Sequence, residues 1–331
     1  MIKILFIGSN TKICAPNSTY LIENLPDEIL EKHGYKRYCI GPGHYIPPSI
    51  SDLYNWMGGK PDVIFEAGAW YYYAQVERDW LKITYRITDD EIGRLWGIEN
   101  ELIVKNVAAQ HYEDYWRGGA LRELDQHVIS AMYSGRRKTE IEHAHSGKTL
   151  HYIPFSVDID LINADIDKPV AYEAYAPGSI STEWLYPYRL EAIRIIEDKQ
   201  LSTPRFSRVW KERPKGKGYF GVLNQSEILV IDGGIFKVPF KKIFEGLAST
   251  AMCIFDTDIE TLVSHGVKDG IHYRGCSIDE ISKTLDHYLT HEEETKKIAM
   301  AGRDYFLREL NPEKMAIRYL FPVIHELMGY S

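Results

Sequence analysis

The chain has 331 residues, more than one hydrophobic core usually supports, so two domains of about 150 residues each are expected. With 44% hydrophobic and 26% charged residues it falls among globular proteins, which argues against disorder. A formal net charge of -8 excludes wholesale electrostatic adhesion to nucleic acid and leaves room only for a local basic groove.

The amino-terminal run Ile2 to Ile7 reads as a buried strand that passes directly into Gly8-Ser9-Asn10. It is too short for a signal sequence, and no apolar run of about 18 residues follows, so neither secretion nor a membrane span is expected. Tyr20 to His33 has helical spacing, and Tyr38 to Ile40 leads into the turn Gly41-Pro42-Gly43. Asp62 to Glu66 and Leu81 to Ile87 read as further strands, the second ending at Thr88-Asp89-Asp90. Leu102 to Ala108, His127 to Met132 and Leu150 to Ile153 continue the pattern.

After a linker-like stretch from Pro154 to Pro169 the alternation restarts with a strand at Val170 to Ala176, ending in Pro177-Gly178-Ser179. A helix at Leu185 to Glu197, a strand near Phe206 to Trp210, a helix near Gly221 to Gln225 and a strand at Glu227 to Ile231 follow. A lysine-led helix, a strand at Ala251 to Phe255 and amphipathic helices at Ile278 to Leu289, Glu292 to Leu310 and Glu313 to Met328 complete the chain. Two consecutive α/β domains with parallel sheets are the economical reading. Ligands gather beyond the carboxyl ends of such strands, so Gly8-Ser9, Glu66, Asp89, Gly178-Ser179 and Gly233-Gly234 are expected to point toward one inter-domain cleft. The cysteines, Cys14, Cys39, Cys253 and Cys276, are scattered without a CxxC pair, which fits reduced thiols in a cytoplasmic protein better than disulfides or a zinc site.

The segment Pro239-Phe240-Lys241-Lys242-Ile243-Phe244-Glu245-Gly246-Leu247-Ala248 carries the most information. It follows a strand and a Gly233-Gly234 turn, and a helix that starts there offers unpaired N–H groups and positive dipole, to which the lysines add charge. That combination seats a phosphate or diphosphate. Glu245, one turn further in, is placed to accept hydrogen bonds from sugar hydroxyls beside it, which suggests a nucleotide-sugar site.

Tyr219 to Ile228, Pro239 to Ala248, Asp269-Gly270-Ile271-His272-Tyr273 and the Glu292 to Leu310 helix together resemble the carboxyl-terminal domain of GT-B glycosyltransferases, in particular the spore-maturation group. Gly178-Ser179 and Tyr186-Pro187-Tyr188-Arg189 look like the Gly-Ser and Tyr-Pro-Leu-Arg elements of that group. The resemblance implies two Rossmann-like domains facing across a cleft. Residues 1–155 would bind the acceptor, 156–312 the nucleotide sugar, and 313–331 would form a helix packing back on the first domain. It implies donor-binding roles for Gly178, Ser179, Arg189, Tyr219, Asn224, Lys241, Lys242 and Glu245, with Glu245 on the ribose and one of the two lysines squarely on the diphosphate. Many retaining members carry an earlier glutamate eight positions before the second; Lys237 stands there instead, so retention or inversion stays open. Arg189 reads equally as a phosphate clamp and as a structural ion pair, and Asn224 equally as a brace for the next strand.

In the first half Asp89 is the leading general base for an acceptor hydroxyl, and reads equally as a helix N-cap; Glu66 and His111 are reserves. Gly8, Ser9, Asn10 and Tyr71, the last within a Tyr71-Tyr72-Tyr73 run, are the acceptor-side candidates. Basic stretches at Arg205 to Lys217 and Arg136-Arg137-Lys138 read as solvated loops or, along a cleft, as a track for a polyanion. Asp256-Thr257-Asp258 looks like a metal-binding DxD but lies outside that architecture, so no metal and no cofactor beyond the nucleotide-sugar co-substrate is expected. The expected activity is metal-independent hexosyl transfer from a nucleoside-diphosphate sugar, a UDP-sugar in the first instance, to an acceptor hydroxyl on a glycan, protein or small molecule. The alternatives are glycosylation of a hydroxymethylated base in DNA and a catalytically inactive nucleotide-sugar-binding protein. A Rossmann oxidoreductase is disfavoured because Gly8-Ser9 lacks the GxGxxG fingerprint.

Overall fold

The computed structural model describes residues 1–7, 21, 25–40, 50–66, 102–106, 127–130, 149–178, 186–206, 214–235, 237, 239–256 and 260–329. The chain divides into two compact units, Met1–Pro154 together with Ala316–Ser331, and Phe155–Met315.

The first unit is built on strands β1 (Ile2–Ile7), β2 (Tyr35–Ile40), β3 (Val63–Glu66), β4 (Leu102–Asn106), β5 (His127–Ser130) and β6 (Thr149–Tyr152), with helices α1 (Asp27–Lys32) and α2 (Ile50–Met57). The sheet order is β2-β1-β3-β4-β5-β6 and the pairings are parallel. Ile4, Leu5 and Phe6 are all buried, which is how a parallel strand covered on both faces reads in sequence. The carboxyl-terminal segment belongs to this unit: Tyr35 stacks on Phe321 at 4.5 Å and its hydroxyl bonds His325 Nε2 at 2.8 Å.

The second unit has strands β7 (Tyr172–Tyr175), β8 (Ser226–Ile231), β9 (Met252–Asp256) and β10 (Arg274–Cys276) in a parallel sheet of order β10-β9-β8-β7. Its helices are α3 (Pro187–Asp198), α4 (Lys217–Asn224), α5 (Lys241–Ala248), α6 (Glu260–Ser264), α7 (Ile281–Thr290) and α8 (Glu292–Tyr305). The side chains of β8 and β9 divide by the strand period of two. Ile228, Val230, Met252 and Ile254 join Ala192, Ile196, Ile281 and Leu285 of α3 and α7 in one core cluster. Leu229, Ile231 and Cys253 instead meet α5, which approaches so closely that a Cβ on Gly246 would lie 2.6 Å from Ile231 and 2.9 Å from Cys253. A glycine inside this helix is therefore a packing requirement and offsets its low helix propensity.

The expected Ile278 to Leu289 helix opens with a 3₁₀ turn, capped by Ser277 and Glu280, before α7 begins. Beyond α8 the helix continues with π geometry over Phe306–Leu310 and breaks at Asn311-Pro312, where Asn311 Oδ1 accepts from the Lys314 N–H at 3.0 Å. Helix α9 (Pro312–Met315), a π segment (Ala316–Leu320) and α10 (Phe321–Leu327) follow. Of the Tyr20 to His33 segment only α1 is described as a regular helix, starting after Pro26. Phe206 lies in a loop with its ring 5.9 Å from Tyr175, so the strand expected to begin there does not include it. The Leu81 to Ile87 strand falls outside the described residues. Among the described residues no helix is long and apolar enough to cross a membrane.

Gly302 of α8 packs against backbone: a Cβ there would lie 2.4 Å from the His272 carbonyl oxygen. Backbone cannot yield as a flexible side chain does, so Gly302→Ala is expected to destabilise the second unit by about 1–3 kcal/mol. A denaturant titration checks this through a lowered midpoint with unchanged slope.

Candidate functional site

In a parallel sheet every strand ends at the same edge, so the residues just past β7, β8 and β9 meet. Tyr175 pairs with Leu229 and Ile231 with Phe255, and counting on from those registers brings Gly178, Asp232 and Asp256 side by side. Helices α3 and α5 begin at this edge. The Tyr186 ring, 6.0 Å from that of Phe240, links their two starts.

Arg189, from the first turn of α3, is 3% exposed and lies in the centre of the group. Its Nη2 donates to Asp232 Oδ1 at 2.6 Å, and its guanidinium carbon stands 4.0 Å from the centre of the Tyr186 ring. Behind it is Gly178, at φ +136°, where a Cβ would come within 2.5 Å of the guanidinium. Glycine is needed there twice over, for the backbone conformation and for the space.

Helix α5 turns Lys241, Lys242 and Glu245 toward the same edge. Its apolar face, Ile243, Phe244 and Leu247, is buried against the sheet. Glu245 is almost fully buried; Lys241 Nζ lies 3.3 Å from its Oε1, and the Tyr219 hydroxyl of α4 donates to its Oε2 at 3.3 Å. Burial beside Glu245 holds the Tyr219 hydroxyl well above its ordinary pKa, so it stays a donor. Both contacts on Glu245 are long for charge-assisted bonds and leave the carboxylate weakly satisfied.

Lys237, in the left-handed region at φ +51°, pairs its ammonium with Asp256 at the end of β9. Arg189, Lys241 and Lys237 thus have carboxylates, in Asp232, Glu245 and Asp256 respectively. Lys242 has no hydrogen-bond or carboxylate partner among the described residues. Its pKa is pulled down to about 8, first by burial and then by Arg189, against the opposing pull of Glu245 and Asp232. Lys242 is thus a half-buried cation beside a helix start that makes no ion pair among the described residues.

The structure brings Gly178, Arg189, Tyr219, Lys241, Lys242 and Glu245 together as one group. It places Asn224 elsewhere, and this corrects the donor-binding expectation for that residue. Asn224 ends α4 before β8 begins, at the amino edge of the sheet, opposite the cluster. Its amide donates to the carbonyls of Ile162 and Ala164 at 2.9 and 2.7 Å and accepts from the Thr250 N–H at 3.1 Å, so it braces the linker and the entry to β9. The Asp269 to Tyr273 motif forms a turn: Asp269 accepts from the Gly275 N–H at 2.7 Å and the His272 ring stacks on Tyr305 at 4.3 Å. Asp232 was not signalled by any motif. Glu66 ends β3, paired with Ile7 and Lys105 through the backbone. Gly8, Ser9, Asn10, Tyr71, Asp89, His111 and Ser179 lie outside the described residues. Asp256 of the DxD-like triplet is committed to Lys237, and among the described residues no group of His, Cys, Asp and Glu side chains is arranged to hold a metal.

No protein-family model matches the chain, and no curated protein sequence matches it. Solved structures do. HepE of Anabaena, in complex with UDP and glucose, superposes with a TM-score of 0.56 at 12% identity over 98% of this chain and 100% of its own. Sucrose-phosphate synthase of Thermosynechococcus elongatus gives 0.55 at 12% over the whole of both chains. A DNA-modifying β-glucosyltransferase gives 0.53 at 12% over 99% of each. The likeness at such identity is one of fold, it runs the length of the chain, and the chain accordingly has the GT-B fold of these glycosyltransferases, two Rossmann-like α/β units in succession.

Proposed function

We propose that this protein is a glycosyltransferase whose second unit holds a UDP-sugar at the carboxyl edge of its sheet. The observation that carries the reading is the ammonium of Lys242 at the start of α5, which makes no ion pair among the described residues while Arg189, Lys237 and Lys241 beside it do. Lys242 meets the diphosphate; Lys241 is held back by Glu245. Glu245, buried and weakly satisfied, takes the ribose hydroxyls, with Tyr219 steadying its carboxylate.

In the reaction an acceptor hydroxyl oxygen bonds to the anomeric carbon, the bond from that carbon to the diphosphate oxygen breaks, and UDP departs with the electron pair. Lys242, Arg189 and the α5 N–H groups stabilise the charge that develops on the leaving group, a role fixed cations and dipoles perform without a metal. The acceptor's proton goes to a carboxylate of the first unit, Asp89 or Glu66, with His111 as the remaining candidate. The acceptor class is set by that unit. The comparison supports the donor side: UDP is bound by HepE, which shares the fold.

A thermal-shift series tests the reading. UDP and UDP-glucose at 100 times the dissociation constant are expected to stabilise the protein by about 2.7 kcal/mol, a rise of several degrees in Tm. Absence of any rise across UDP, GDP, dTDP and their sugars contradicts it.

A further inference from the structure

Asp232 is the first residue past β8 and its side chain is fully buried. One carboxylate oxygen accepts the short bond from Arg189, while the other, also buried, has no hydrogen-bond partner among the described residues. A buried ion pair is a poor device for stability alone, since well-packed apolar residues of the same volume usually serve as well or better. What this pair achieves is geometric. The guanidinium is fixed from three sides, by Asp232, by the Tyr186 ring and by the bare backbone of Gly178, and cannot swing away from the edge.

The pair also sets the charge that Lys242 experiences. The groups facing Lys242 are Arg189 from α3, Asp232 from the end of β8, and Lys241 and Glu245 from its own helix. Arg189 and Lys241 disfavour the ammonium; Glu245 and Asp232 favour it. Without the Asp232 charge, Glu245 alone among these groups would offset Arg189 and Lys241 at Lys242.

Resting on the donor-site reading above, we propose that Asp232 is a positioning residue for donor binding, which holds Arg189 in place and preserves Lys242 as the cation that receives the diphosphate. It acts through those two side chains and need not touch the donor.

The test is a calorimetric titration of UDP into the full chain, wild type and Asp232→Asn, from pH 6.5 to 9.5. The asparagine keeps the shape and loses the charge. UDP affinity at pH 7.5 is expected to fall at least tenfold, and the loss of affinity at alkaline pH is expected to begin at lower pH than in the wild type. A purely structural Asp232 would move neither quantity in a folded variant. An unchanged affinity, or an unmoved alkaline limb, overturns the inference while leaving the donor site standing. A wild-type chain that binds no UDP overturns the donor site and this inference with it. Should Asp232→Asn not fold, the double variant Arg189→Met/Asp232→Leu removes both charges together. It is expected to fold and to lose UDP binding, and retained binding overturns the inference.

Discussion

Lys242→Met is expected to lower turnover by about 10²–10³-fold, the usual cost of removing one fixed group that stabilises a developing charge. Lys241→Met is expected to cost far less. The two lysines are neighbours in sequence and differ in their partners. Lys241 lies one turn before Glu245 and spends its charge there at 3.3 Å, whereas Lys242 makes no ion pair among the described residues and meets Glu245 and Asp232 only at longer range. The stabilities should move the other way. Lys242→Met removes a half-buried unpaired cation and is expected to leave Tm unchanged or raised, a trade of stability for function common at active sites. Steady-state kinetics and thermal melts on the two variants check both halves.

The protonation of Lys242 gives this prediction a pH signature with opposite signs for folding and binding. Its folded pKa, about 8, is below the ordinary lysine value, so between the two values the unfolded chain holds more protons. Stability of the free protein from this group therefore rises with pH through that window. Donor affinity falls over the same window as the ammonium is lost. Denaturant titrations and UDP titrations from pH 7 to 10 should show the two curves diverging, and Lys242→Met should flatten the contribution of this group to both.

Arg189→Ala is expected to destabilise the second unit by about 3–5 kcal/mol, because Asp232 is left as an uncompensated buried charge. Against a total of about 5–15 kcal/mol for a typical domain, that places the variant near unfolding. Arg189→Met/Asp232→Leu should recover most of the loss, since neither charge then remains. Equilibrium unfolding of the single and double variants measures the difference directly; equal losses in both would show that packing of the arginine stem, and not charge, sets the cost.

The strands that were plain in the sequence are those buried on both faces. β1, β8 and β9 are short apolar runs bounded by turn residues, and little else fits such a pattern. β10 is three residues, Arg-Gly-Cys, with no pattern to see. The long terminal helices were legible as amphipathic stretches, but not their π segments, which no spacing marks.

The gathering of Glu245, the lysine pair and Gly178 at one edge was legible where residue type and position coincide. Lys241 and Lys242 are equivalent by residue type, and only the i,i+4 spacing of Lys241 and Glu245 distinguishes them in the sequence. Asp232 escaped because an aspartate before Gly-Gly reads as a turn residue, and only the closeness of Arg189 makes it a buried partner. Asn224 reads in the sequence both as a donor contact and as a brace for the next strand, and its hydrogen bonds are those of the brace. Its neighbourhood in sequence is that of the site, while the length of β8 carries it to the other edge of the sheet.

A crystal structure of the protein soaked with UDP would show which side chains hold the leaving group. The diphosphate is expected at the start of α5, with an oxygen within about 3 Å of Lys242 Nζ, a typical charge-assisted bond, and the ribose hydroxyls on Glu245. A diphosphate seated away from Lys242 and Arg189, with Lys242 still unpaired, would contradict the donor-site reading.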